Sequence, residues 1–132
     1  MRDGEKVPIV LVAAKGDVLD NIRDALAHSN LAVLSEQTKD GAIALLERLT
    51  CEIDIAIIEV ELPDFASDLI RQLTWRRQKP LKIIATTSLY PEPVLARVKK
   101  LGVDVVVPKA ISPDGWRQMV ERALGKTENT SA

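Results

Sequence analysis

The sequence predicts an α/β domain in which five parallel strands form one doubly wound sheet with helices on both faces. Two observations predict it. Short β-branched runs alternate with longer amphipathic stretches along the 132 residues, the pattern of repeated βα units. Three runs, Ile9-Val10-Leu11-Val12, Ile55-Ala56-Ile57-Ile58 and Val105-Val106-Val107, are continuously apolar, as strands covered on both faces must be.

In chain order the strands are read at Ile9 to Ala13, Leu31 to Leu34, Ile53 to Val60, Leu81 to Thr86 and Val103 to Val107. Leu31 to Leu34 is the shortest and suits an edge. The first two helices are read from Val18, Ile22, Ala25 and Leu26, and from Ala42, Leu45, Leu46 and Leu49. Leu69 and Leu73 mark the third. Val94, Val98 and Leu101 mark the fourth, and Trp116, Met119, Val120 and Ala123 the fifth; each set keeps helical spacing. Asp17 and Thr38 stand as caps before two helices, and Ser112-Pro113 offers an N-cap serine followed by a first-turn proline. Gly102 and Gly125 stand where a left-handed residue would end the fourth and fifth helices. Asp17, Asp40, Asp68, Glu92 and Asp114 fall near helix starts. Arg48, Arg76, Arg77, Lys99 and Lys100 fall near helix ends, as the helix dipole favours. One domain is expected over residues 7–124, after a disordered or extended lead (1–6) and before a flexible tail (125–132).

Composition narrows the class further. Eighteen Lys and Arg against nineteen Asp and Glu leave a net charge of −1, so no global field favours nucleic acid or an anionic membrane. The single cysteine, Cys51, excludes an internal disulfide or a multi-cysteine metal site and suits a reducing cytosol. No apolar run approaches a membrane span, and the polar start leads into no signal-peptide core. A soluble cytoplasmic domain is expected.

In an open α/β sheet, ligands bind beyond the carboxyl ends of the strands. Here those ends deliver Ala13, Ala14 and Lys15; Glu59, Val60 and Glu61; Thr86, Thr87 and Ser88; and Pro108 with Lys109. That is one certain carboxylate, two or three hydroxyls and at least one lysine. Mg²⁺ prefers carboxylates and waters in near-octahedral order, and one glutamate is poor material for it.

These residues, in this order and spacing, resemble the receiver domains of bacterial response regulators. Val10-Leu11-Val12-Ala13-Ala14 resembles the first strand, with alanines where the family has its acidic pair. Ile57-Ile58-Glu59-Val60-Glu61-Leu62-Pro63 resembles the phosphoacceptor segment, with Glu59 in place of the aspartate. Ala85-Thr86-Thr87-Ser88 resembles the fourth strand, with Thr87 as its hydroxyl residue. Leu101-Gly102-Val103-Asp104 resembles the family's Gly-Ala-Asp turn, and Lys109 falls at its lysine. The resemblance implies a flavodoxin-like, CheY-like sheet of order 2-1-3-4-5 and a place in two-component (phosphorelay) signalling. It also implies the departures. Ala13 and Ala14 cannot ligate a metal, Pro108-Lys109-Ala110 reverses the family's Lys-Pro, and Val106 occupies the switch position where many receivers carry an aromatic.

Together the resemblance and its departures imply a pseudo-receiver that acts without phosphorylation as a protein-interaction module. It would have no catalytic residue, metal or cofactor. Its partner would be a protein: a kinase, an output domain or another signalling protein. A weak homodimer is also expected through the fourth helix, fifth strand and fifth helix, using Arg97, Asp104 and Arg117 or Arg122. Glu59 could be a strand-end carboxylate without a signalling role or a fixed partial mimic of the phosphorylated state. As a phosphoacceptor it is less favoured, since nothing nearby would neutralise a transferring phosphoryl group. Lys109 is expected to pair with Glu59, and the Lys109–Ala110 bond to be trans. A metal site built from Asp17, Glu59 and Glu61 is disfavoured by the missing pair. The basic cluster Arg76, Arg77, Lys79 and Lys82 beside Trp75 could suggest nucleic acid, but it is small and partly serves to close a helix. His28 is expected in the last turn of the first helix. An active receiver with an atypical site and a flavodoxin-like ligand binder stay in play; against the latter, Ala14-Lys15-Gly16-Asp17 lacks a glycine-rich phosphate cradle.

Overall fold

The computed structural model describes residues 7–49, 52–60, 63–76, 81–87, 96, 98–108 and 111–125. One sheet runs through it, of five parallel strands in the order β2-β1-β3-β4-β5. The strands are β1 (Ile9–Ala13), β2 (Ala32–Glu36), β3 (Ile55–Glu59), β4 (Lys82–Thr87) and β5 (Val105–Pro108). The helices are α1 (Gly16–Leu26), α2 (Lys39–Arg48), α3 (Pro63–Arg76) and α4 (Pro113–Ala123). Of the fourth helical segment read from sequence, Ala96 and residues 98–100 are described and are helical. The fold class read from sequence is the one observed.

Two apolar clusters, one on each face, hold the sheet between its helices. Val10, Val12, Ile55, Ile57, Ile84 and Val107 meet α1 and α4 through Leu19, Ile22, Leu26, Trp116 and Val120. Leu11, Ala13, Ala56, Ile58, Ile83 and Ala85 meet α2, α3 and Val98 through Ala42, Leu46, Leu69, Ile70 and Leu73. Successive strand side chains point to opposite faces, so a strand buried in both clusters must be apolar throughout.

The differences from the sequence reading have local causes. Ile53, Val60, Leu81 and Val103 are buried but lie outside the strand bounds, so β3 and β5 are shorter than read and β4 is shifted by one residue. β2 extends past Leu34 through Ser35 and Glu36, because an edge strand tolerates polar side chains. Val105 is 38% exposed although its run reads as doubly covered, because β5 is the other edge. Pro108 fits there, since an edge strand can lose an N–H. The N-cap of α1 is Lys15, and Asp17 lies inside the first turn. Asp68 is in the body of α3, which begins at Pro63. Exposed His28 lies in the turn just after α1, which ends at Leu26. Thr38 and Ser112 cap as expected, accepting from Gly41 N at 3.0 Å and Gly115 N at 3.1 Å. Gly102 (φ 107°) and Gly125 (φ 81°) adopt the left-handed conformation.

At the amino ends of the strands, two aspartates clamp neighbouring chains. Asp54 Oδ2 accepts from Ile9 N at 2.8 Å, and Asp54 N donates back to Ile9 O at 2.9 Å. Asp104 repeats the arrangement, accepting from Ile83 N at 2.8 Å and donating to Ile83 O at 2.9 Å. Each precedes its strand by one residue and ties it to the strand alongside. Asp54→Ala leaves the Ile9 N–H without its acceptor in a part-buried setting. It is expected to cost about 1–3 kcal/mol in a denaturant melt, whereas Glu52→Ala, on an exposed side chain, should stay within about 0.5 kcal/mol.

Candidate functional site

The strand register decides what meets at the carboxyl ends. Ala13 pairs with Ile58, so Ala14 follows level with Glu59. Glu59 pairs with Thr86, and Thr86 with Val107. Partners in a parallel ladder share a face, so Ala14, Glu59 and Thr86 line the α1–α4 face. Ala13, Thr87 and Val106 alternate with them and belong to the other face, where Val106 pairs with Ala85. The expected site residues are thus divided between two faces. Lys109 lies outside the described residues, with Glu61, Ser88, Arg97 and the Lys109–Ala110 bond.

Glu59 is half-buried, and its Oε1 accepts from Lys15 N at 2.9 Å. Lys15 is the N-cap of α1 and makes no side-chain cap of its own. Immediately after it the chain turns through Gly16 at φ 54°, in the left-handed region. The first N–H groups of a helix lack intrahelical acceptors and carry partial positive charge, so a carboxylate at this point is favoured twice over. Glu59 therefore joins the end of β3 to the start of α1.

Around it the row is apolar and closed. Ala13 and Ala14 are both 0% exposed. Thr86 is fully buried, and among the described residues its Oγ1 has no hydrogen-bond partner; Thr87 is buried beside it on the opposite face. Among the described residues, no group of three or more His, Cys, Asp or Glu side chains is placed to hold a metal. Thr86 is the residue that motif matching missed. Its signal was the two-residue period of the strand, which pairs even-numbered β4 residues with the face of Glu59.

The face expected to self-associate is partly committed within the fold. Arg117 Nη1 donates to Ala25 O of α1 at 3.3 Å, and Nη2 pairs with Asp114 one turn back. The Asp104 carboxylate is held by Ile83 N. Two of the charges assigned to that contact therefore already have partners in the chain.

No protein-family model matches the sequence, and no curated protein matches it. Solved structures do match in fold. A response regulator from Thermotoga maritima superposes with a TM-score of 0.79 at 17% identity, over 91% of this chain and 99% of the other. A CheY-like receiver domain protein from Methanospirillum hungatei gives 0.76 at 18% identity, over 94% and 99%. The BeF3-activated DrrB receiver domain gives 0.75 at 20% identity, over 91% and 98%. The chain has the flavodoxin-like fold of response-regulator receiver domains. No helix among the described residues is long and apolar enough to cross a membrane.

Glu59→Ala removes the carboxylate at the start of α1 and is expected to cost about 0.5–2 kcal/mol, the range of a lost helix cap. Glu59→Gln keeps an acceptor oxygen and loses only the charge–dipole part, about 0.3–1 kcal/mol. Glu59→Asp, one methylene shorter, should behave like the alanine variant. Denaturant melts and amide exchange at residues 15–19 check the series; an aspartate variant as stable as the parent would contradict the contact.

Proposed function

We propose that this domain is a receiver-like module of two-component signalling that works without phosphoryl transfer, through contacts with another protein. The fold supports the first part. The observation that carries the second is the Glu59–Lys15 contact, at a β1 end where Ala13 and Ala14 are fully buried. Mg²⁺ binding calls for several oxygen ligands plus waters. This row offers one carboxylate, one of whose oxygens already serves a backbone N–H, and two methyl groups closed to water. The described residues do not fit the ion, and without it the charge on a transferring phosphoryl group lacks the neutralisation a metal would supply.

On this reading the crevice is a fixed structural joint. Glu59 brings a single negative charge to the start of α1, where a phosphoryl group would bring nearly two; its part is to hold the loop after β1. Val106 is β-branched and restricted at χ1, so it does not sweep between buried and exposed positions as an aromatic would. The partner is a protein of the same signalling class, a kinase or an output domain. A weak homodimer over β5 and α4 has less to hold it than the sequence suggested, since Arg117 and Asp104 are engaged internally.

Incubation with acetyl phosphate and Mg²⁺, read by intact mass, is expected to give no adduct. Beryllofluoride with Mg²⁺ is expected to leave the backbone resonances of β4 and β5 in place. A gain of one phosphate that disappears in Glu59→Gln would establish the active-receiver alternative instead.

A further inference from the structure

The chain has two tryptophans, and they meet opposite fates. Trp116 is fully buried between α4 and α1, whereas Trp75, near the end of α3, is 83% exposed. α3 already buries Leu69, Ile70 and Leu73 against the sheet, so Trp75 is not needed for its packing. An indole left this open offers a large rigid apolar face of the kind that anchors protein contacts.

Its surroundings have a definite chemistry. Arg71, Gln72, Thr74 and Trp75 line one open groove, with Arg71 one helical turn before Trp75 on the same strip. The far side of Thr74 abuts Gly102: a Cβ on that glycine would come within 3.0 Å of Thr74 Cγ2. The segment that ends at Gly102 therefore lies against α3, and it carries the exposed Lys99 and Lys100. From Trp75 to Lys82 the sequence contains no acidic residue. The Asp104 carboxylate, which follows this segment, is already bonded to Ile83 N. In a chain of net charge −1, Arg71 thus stands beside the open indole, and Lys99 and Lys100 lie on the segment packed against the same helix, at the end of the sheet opposite Glu59.

We propose that this groove is the docking surface for an acidic segment of a partner protein, with an apolar side chain seated on Trp75 and carboxylates facing Arg71, Lys99 and Lys100. This deepens the reading of the domain as an interaction module and rests on it. Trp and Arg are the residue types that dominate protein–protein hot spots, and complementary charge sets orientation and encounter rate. Single-stranded nucleic acid also stacks on exposed indoles. It favours a positively charged groove that tracks the backbone, and here the basic patch is small and the net charge is negative.

The test uses the full chain, isotopically labelled, titrated with a synthetic peptide rich in Asp and Glu around one central Leu. Amide shifts are expected at residues 71–75 and 98–102, together with a blue shift of Trp75 emission. Trp116 contributes a constant background because it is already buried. Arg71→Glu and Trp75→Ala should each weaken binding at least about tenfold, with unchanged melting because both side chains are exposed. A peptide of equal charge lacking the Leu should bind more weakly. The proposal is overturned if the peptide shifts nothing at millimolar concentration, if the shifts fall elsewhere, or if the Leu-free peptide binds equally well. A stronger response to oligo(dT) would also overturn it, marking a nucleic-acid surface. Beryllofluoride with Mg²⁺, added separately, reports at β4 and β5. A response there would sink the phosphorylation-independent reading and leave the docking result standing on its own.

Discussion

Everything in this fold hangs on the register between β1 and β3. Val10 to Ala13 and Ile55 to Ile58 are completely buried, and their side chains feed both apolar clusters. A strand with one polar face registers itself, because a one-residue slip would push its apolar set into water. A strand that is apolar on both faces loses little by such a slip, so its register must be imposed from outside. Asp54 does this at the amino end: its carboxylate takes Ile9 N while its own N–H returns to Ile9 O. Asp104 does the same for β4 and β5. Two short polar side chains thus fix what the hydrophobic effect leaves undetermined.

Once set at one end, the register dictates the composition of the other. It places Ala14, Glu59 and Thr86 on one face and Ala13, Thr87 and Val106 on the opposite one. Glutamate's extra methylene then matters. It carries the carboxylate from the end of β3 to Lys15 N at the start of α1, where the helix has no side-chain cap of its own. Burial of the alanines, the reach of Glu59 and the turn at Gly16 make one arrangement, a closed joint between sheet and first helix.

The sequence disclosed strand centres better than strand ends, for a physical reason. Hydrophobicity reports burial and is blind to hydrogen bonding. Ile53, Leu81 and Val103 are buried outside the strands and Val60 adds only its N–H to Thr86 O, yet each was read as part of a strand. β5 misled in the opposite way, since three valines in a row look the same at an edge as in the middle. The caps at Thr38 and Ser112 were legible because the side chain and its target are three residues apart. The Glu59–Lys15 contact spans 44 residues, and no local rule carries it. The pairing of Thr86 with Glu59 was in principle readable from strand parity, but two adjacent threonines hid which of them shared the face.

The carboxylate at the end of the third strand has an architectural use in this chain, since it accepts from the backbone at the start of α1. The helix that follows β1 begins with N–H groups that need an acceptor whether or not any phosphoryl group ever arrives. A side chain that meets that need stabilises the folded state directly, and a change at the position alters stability before it alters any reaction. The fold itself persists among structures that share only 17–20% of its residues, so the frame tolerates wide change in what lines its crevice. Under the proposed reading, the joint that a metal and a phosphoryl group could make reversibly is made once, by Glu59, when the chain folds. The surface left to carry a signal then lies away from the crevice, where an indole stands open beside Arg71.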